Sequence, residues 1–325
     1  MLFVVTSLGV WAVTANWHRI RSPFGGATPP AQSAVMKPAE MPGLGYLPES
    51  TDAVLAIQVQ RLLERLGPDA QKEPAKALEM LGVPETLADI IEKASGVGLK
   101  NVDQLVIGLG FEKHAFPPEM VIIVHATRPF DLDDIARKAK ARTLKKDGRT
   151  LVVAKAGPIP ELYWWKAADR VLVATILTKD FEGVPGLPRT GIDHLPPTLR
   201  ALIHEHVADD SVAWLAAASD RWHRYLAAYT LFPGTQLQGR NDLLKPAERL
   251  RTVVMSVPVD ANERVDVQIG LASADHGSEL RGKLSERFRD EDVQISGEQE
   301  ICRIQVKNEP ANVRSIFGRL VGPAK

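Results

Sequence analysis

The chain runs through the same succession of elements twice. Near residue 47 it reads LPESTDAVLAIQVQRLLERLG, and near residue 207 it reads VADDSVAWLAAASDRWHRYL. Each is an acidic turn, then an apolar run, then an amphipathic stretch. Behind each come two further apolar runs, a helix-like segment and a hairpin. A recurring supersecondary unit constrains the architecture before any single residue is weighed. What recurs here is core pattern and contains no chemical group, so it speaks of build and not of activity.

In the first unit Val54 to Val59 reads as a buried strand that passes into a helix carrying Leu62, Leu63 and Leu66 at helical spacing. Gly67-Pro68 ends it, and two short helical stretches follow, one through Leu78 and Leu81 and one through Leu87, Ile90 and Ile91. Val102 to Phe111 and Met120 to His125 read as strands. In RPFDLDDIARKAKA, Asp131 suits an N-cap, with acidic residues in the first turn and basic ones in the last, the order the helix dipole favours. Asp147-Gly148 between two short runs signals a hairpin, and LYWWKAADRVLVATI a second. The second unit offers strands at Val212 to Ala217, Thr252 to Val259, Val265 to Leu271 and Ile301 to Val306. Its helices run through Trp222, Tyr225 and Leu226, through Leu280, Leu284 and Phe288, and onward from Pro310.

The expected fold class is therefore α+β, as two similar halves, each an antiparallel or mixed sheet with helices on one face. The halves are placed at 46–190 and 191–325. Identity between them is poor position by position, so a duplication and a chance recurrence of a common pattern both stay open.

Ahead of the halves, residues 2–17 (LFVVTSLGVWAVTANW) are uncharged and mostly apolar, with Trp11 and Trp17 placed as interfacial anchors. No basic residues precede the run and no small-residue cleavage site follows it clearly, which argues against a cleaved signal peptide. Residues 1–21 are expected to be a transmembrane anchor. Residues 22–45, rich in proline, glycine and alanine, are expected to be a flexible linker. Taken literally, Arg19 and Arg21 behind the span favour a cytoplasmic C-terminal side, but weakly, because there is no preceding flank for comparison.

The phrases GYLPESTDAVLAIQV, GLKNVDQLVIGLGF, ATRPFDLDDIARKAKA and GIDHLPPTLRALIHEHV resemble bacterial proteins of planctomycete type. Those proteins carry a membrane anchor, a Pro-rich tether and a duplicated α+β region opened by a "YLP…D…" phrase. The resemblance spans roughly residues 45 to 320 and rests on short phrases. In some of those proteins a serine/threonine kinase or other signalling domain precedes the anchor, which would place the α+β part outside the cytoplasm, and the resemblance brings no activity with it.

Chemistry is sparse. Lysine plus arginine number 40 and aspartate plus glutamate number 40, so charge gives no reason to expect nucleic acid as partner. One cysteine, Cys302 in ICRIQV, excludes an internal disulfide and multi-cysteine metal sites. His204-Glu205-His206, with His194 upstream, is the best metal candidate. On a helix, positions two apart point about 200° apart, so the two histidines cannot share an ion. Gly96-Val97-Gly98 and Gly108-Leu109-Gly110 lack the remaining features of a phosphate loop. No catalytic, cofactor-binding or metal-ligating residue is assigned, and no cofactor is expected.

The one surface candidate is Tyr163-Trp164-Trp165. On a strand, Trp164 faces away from the other two, which leaves two readings: one aromatic exposed for a protein or glycan partner, or core on one side and a covered edge on the other. The leading expectation is a non-catalytic, membrane-tethered binding or scaffolding protein of the bacterial cell envelope, sensor-like in kind. Its membrane partner is reached through residues 2–17. An envelope hydrolase with a dispersed site and a purely structural domain are the alternatives.

Overall fold

The computed structural model describes residues 35–75, 97–111, 119–138, 140–156, 159–176, 181, 183–221, 249–260, 263–288 and 293–307. The expected anchor at 2–17, the helices expected near 78–91, 222–226 and beyond 310, and the glycine pair's Gly96 lie outside these residues. Among the described residues no helix is long and apolar enough to cross a membrane.

The first seven strands are β1 (Ala53–Gln58), β2 (Val102–Gly110), β3 (Glu119–Ala126), β4 (Arg142–Lys146), β5 (Arg149–Ala156), β6 (Ile159–Ala168) and β7 (Val171–Ile176). The remainder are β8 (Ser211–Ala218), β9 (Leu250–Pro258), β10 (Arg264–Leu271), β11 (Val293–Ser296) and β12 (Ile301–Lys307). The helices are α1 (Val59–Leu66), α2 (Pro68–Lys72), α3 (Leu132–Lys138), α4 (Pro197–His206) and α5 (Ala274–Arg287).

Among the described residues all twelve strands join one antiparallel sheet in the order β11-β12-β10-β9-β8-β1-β2-β3-β7-β6-β5-β4. This corrects the expected two halves. β1 and β8 are not the edges of two sheets but direct neighbours, with Ala53 opposite Ala217, Leu55 opposite Leu215 and Ile57 opposite Ala213. The reason lies in their composition. Neither AVLAIQ nor SVAWLAAA carries a charge, and a bare apolar edge is unstable until another strand covers it.

Helices on one face only is likewise overturned. On one side, the helix face, Leu62 and Leu63 of α1, Ile135 of α3 and Leu284 of α5 pack on alternate strand residues such as Ile57, Leu105, Ile122 and Trp164. Burying each such side chain contributes roughly 1.5–3 kcal/mol. On the other side, the strap face, Leu199, Leu202 and Ile203 of α4 join Met41, Leu44 and Leu47 over Val54, Val106, Ile123 and Trp214. Strands covered on both faces lose their polar alternation, which is why β1 and β7 are apolar almost throughout. At the far wing alternation returns: Cys302, Ile304 and Val306 of β12 are buried while Arg303 is exposed and pairs with Asp266 of β10 at 2.7 Å.

The local signals explain the element ends. α1 stops at Gly67, whose N–H donates to the carbonyls of Leu63 and Glu64 and whose positive φ of 88° then turns the chain out of the helix. Asp131 Oδ1 accepts from the N–H groups of Asp133 and Asp134 and so caps α3. Asp147 and Gly148 both take positive φ, 50° and 75°, turning β4 into β5 as that dipeptide favours.

Residues 35–45, which composition places in the linker, are instead packed. Pro38–Glu40 and Pro42–Tyr46 form two 3₁₀ turns, and Met41, Leu44 and Tyr46 are buried. The Gln58 side chain holds this lead at its start. Its Oε1 accepts from the Met36 N–H at 3.1 Å, and its Nε2 donates to the carbonyls of Met36 at 2.8 Å and Ser211 at 3.0 Å. The amide thus acts like one more strand residue alongside the lead. Gln58→Leu leaves those backbone groups unpaired and is expected to cost about 1–3 kcal/mol. Limited proteolysis reads it directly: cleavage between Met36 and Leu44 should accelerate in the variant, whereas unchanged cleavage would show that the clamp does not hold the lead.

Candidate interaction surfaces

Of the two readings of the aromatic run, the structure has the covered one, with all three rings inside the molecule. β6 is an interior strand between β5 and β7, and Tyr163, Trp164 and Trp165 are 7%, 0% and 8% exposed. The alternation is as expected, with Trp164 in the helix-face core and Tyr163 and Trp165 in the strap-face core. What differs is that the second face is covered by irregular chain rather than water.

Trp165 forms the fastening point of that cover. Its ring meets Tyr46 edge-on at 6.3 Å and Phe181 edge-on at 6.1 Å. The Arg149 guanidinium sits 4.4 Å from the Trp165 ring centre and 5.6 Å from that of Phe181, and donates to the Val184 carbonyl at 2.8 Å. Burial lowers the Arg149 pKa from its ordinary value, with Asp147 opposing. Cation and rings together tie the second 3₁₀ turn and the chain around 181–184 to β5 and β6. The next stretch is fitted as tightly: Gly45 accepts from the Arg189 N–H at 3.0 Å, and a Cβ on Gly45 would lie 2.3 Å from the Arg189 carbonyl oxygen. Gly108 has a similar role on β2, where a side chain would collide with Leu47.

The remaining chemical candidates are dispersed. His204 and Glu205 on α4 are exposed and His206 half-buried, while His194 lies in the strap ahead of that helix. Among the described residues no three His, Cys, Asp or Glu side chains converge on an ion-sized point. Cys302 is fully buried on β12, and burial pushes its thiol up to about 11, which keeps it protonated and unreactive at neutral pH.

Two histidines give the fold an acid-sensitive element. Burial lowers the pKa of His125 on β3; burial and the Arg189 charge lower that of His194, against a smaller opposing pull from the Leu44 carbonyl. Both are held neutral in the fold more firmly than in the unfolded chain, whose histidines titrate near pH ~6.5. The unfolded state therefore binds more protons just below that pH, and stability is lost as pH falls through it towards the folded values. Thermal melts at pH 7.5, 6.5 and 5.5 are expected to show a smaller drop for His125→Gln/His194→Gln than for the parent. Parallel curves would remove the histidines from the account.

The sheet's two ends differ. β11 at one end reads VQIS and is uncharged. β4 at the other reads RTLKK, with Arg142, Thr143 and Lys145 exposed and Leu144 and Lys146 half-buried. β4 pairs with β5 on one side, and among the described residues no strand lies on the other. Arg137 and Lys138 nearby are engaged with Asp134 of their own helix. The signal for this surface was present in the sequence as a basic hairpin, masked by the overall charge balance.

No family model matches the chain, and no curated protein matches it. Two crystal structures of TP0453 are distantly similar, each at 11% identity. Crystal form I aligns over 86% of this chain and 96% of that chain with a TM-score of 0.44. Form IV aligns over 89% and 98% with a TM-score of 0.45. Likeness at that level carries no argument about activity.

Proposed function

We propose that this α+β protein is a non-catalytic binding or scaffolding protein of the bacterial cell envelope, with residues 2–17 as its membrane anchor and the sheet held outside the cytoplasm. The observation that carries the reading is the twelve-stranded sheet, covered on both faces from β5 to β9, which leaves its ends and connecting chain for recognition. Such a body, tethered close to a surface, meets partners at raised local concentration. The Gln58 clamp supports the same reading, since it fastens the lead chain to the strand at the centre of the sheet.

Protease treatment of intact spheroplasts carrying a C-terminally tagged chain tests the placement: loss of the tag fits a folded part outside, and full protection contradicts it. Cross-linking in the same cells tests binding. A discrete adduct of defined mass is expected with the tagged protein, and only free monomer under all cross-linkers would contradict a binding role.

A further inference from the structure

We propose that Met36 is a modification site: a peroxide-class oxidant converts its thioether to the sulfoxide, and the Gln104 side chain receives the new oxygen, which fastens the lead more firmly. The proposal goes beyond the binding reading above and does not depend on it.

Two glutamines in register hold this one residue. Gln58 of β1 lies opposite Gln104 of β2, and both are buried. Gln58 takes the Met36 main chain, with its amide bonded to the N–H and the carbonyl. Gln104 takes the side chain: its Nε2 donates to Met36 Sδ at 3.6 Å. A thioether sulfur is a weak acceptor. Among the described residues the Gln104 amide has no other hydrogen-bond partner, its buried Oε1 included. A buried carboxamide matched so poorly costs stability in the reduced protein. On β3, opposite Gln104, the buried Nε2 of His125 is likewise without a partner among the described residues. This end of the strap face therefore holds polar capacity that a thioether leaves unused.

Oxidation corrects the mismatch. The Met36 sulfur attacks a peroxide oxygen, an S–O bond forms as the O–O bond breaks, and the leaving oxygen takes up a proton. Sulfur loses two electrons and the peroxide gains them. The sulfoxide oxygen is polar where the thioether was apolar. Three rotatable bonds let the side chain turn that oxygen towards Gln104 Nε2 while Gln58 keeps the main chain in place. In an ordinary core a sulfoxide disrupts packing; here it meets a donor already aimed at it. Access favours the same residue, since Met36 is half-buried whereas Met41, Met120 and Met255 are buried. Met36 also precedes the two 3₁₀ turns that carry Met41, Leu44 and Tyr46 into the strap-face core, so a firmer hold there keeps the lead on the sheet.

The test treats the full chain with hydrogen peroxide, locates the sulfoxide by peptide mass spectrometry, and probes the lead with a glutamate-specific protease that cuts after the exposed Glu40. Met36 is expected to be oxidised ahead of Met41, Met120 and Met255. Cleavage after Glu40 should then slow about threefold, the effect of one improved hydrogen bond. Gln104→Leu should invert the response, so that oxidation speeds cleavage, and Met36→Leu should abolish it. If Gln104→Leu does not fold, NMR of the parent decides: the Gln104 side-chain amide proton should move downfield on oxidation. Earlier oxidation of the buried methionines, unchanged or faster cleavage of the oxidised parent, the same slowing in either variant, or an unmoved Gln104 resonance overturns the proposal.

Discussion

Trp164→Ala is expected to destabilise the protein by about 3–5 kcal/mol, the range for emptying a fully enclosed aromatic site. Trp164 has no exposed surface and sits between Val152 of β5 and Ala174 of β7. Neighbouring strands cannot move to fill the space without breaking their own ladders. Its indole N–H has no hydrogen-bond partner, so Trp164→Phe removes an unpaired donor as well as some volume and should cost distinctly less. Chemical denaturation of both variants separates the two terms. A Trp164→Ala protein with parental stability but altered partner binding would restore the aromatic run as a surface. Trp165→Ala is expected to act more locally, loosening the cover held by Arg149 and Phe181.

Dividing the chain after residue 190 should have the second large effect: neither fragment is expected to be a soluble, cooperatively folding monomer. Each would expose one side of the β1–β8 seam as an uncharged apolar edge, which invites pairing between molecules. The first fragment would also lose α4, leaving Leu44 and Val54 in the strap-face core without part of their cover. Sedimentation of the separate fragments, and of the two mixed, measures this. Soluble, independently melting monomers would mean that the seam is dispensable.

Most strands were legible from local pattern. Val102 to Phe111, Met120 to His125 and Val265 to Leu271 fall within one or two residues of β2, β3 and β10. Asp147-Gly148 marked its turn because a two-residue hairpin needs positive φ at both positions. The seam was not read, although its signal was present. β1 and β8 lack both polar alternation and edge charges, the pattern of central strands rather than boundaries between halves. The cover on the strap face was harder. Residues 35–45 are proline- and glycine-rich like any linker, and their burial depends on fits such as Gly45 against Arg189, which no periodicity records. The same gap explains the aromatic run: alternation shows which way Trp165 faces but not that Tyr46 and Phe181 wait there.

Amide hydrogen exchange resolved along residues 53–58 and 211–218 tests the single sheet most directly. If β1 and β8 are joined, every ladder amide in both strands is bonded on one side or the other. Both segments should then be among the slowest to exchange and lose protection together, while β4 exchanges faster at its outer side. Alternate amides of β1 and β8 exchanging as fast as those of β4 would mean that each is an edge, and the continuous sheet would be contradicted.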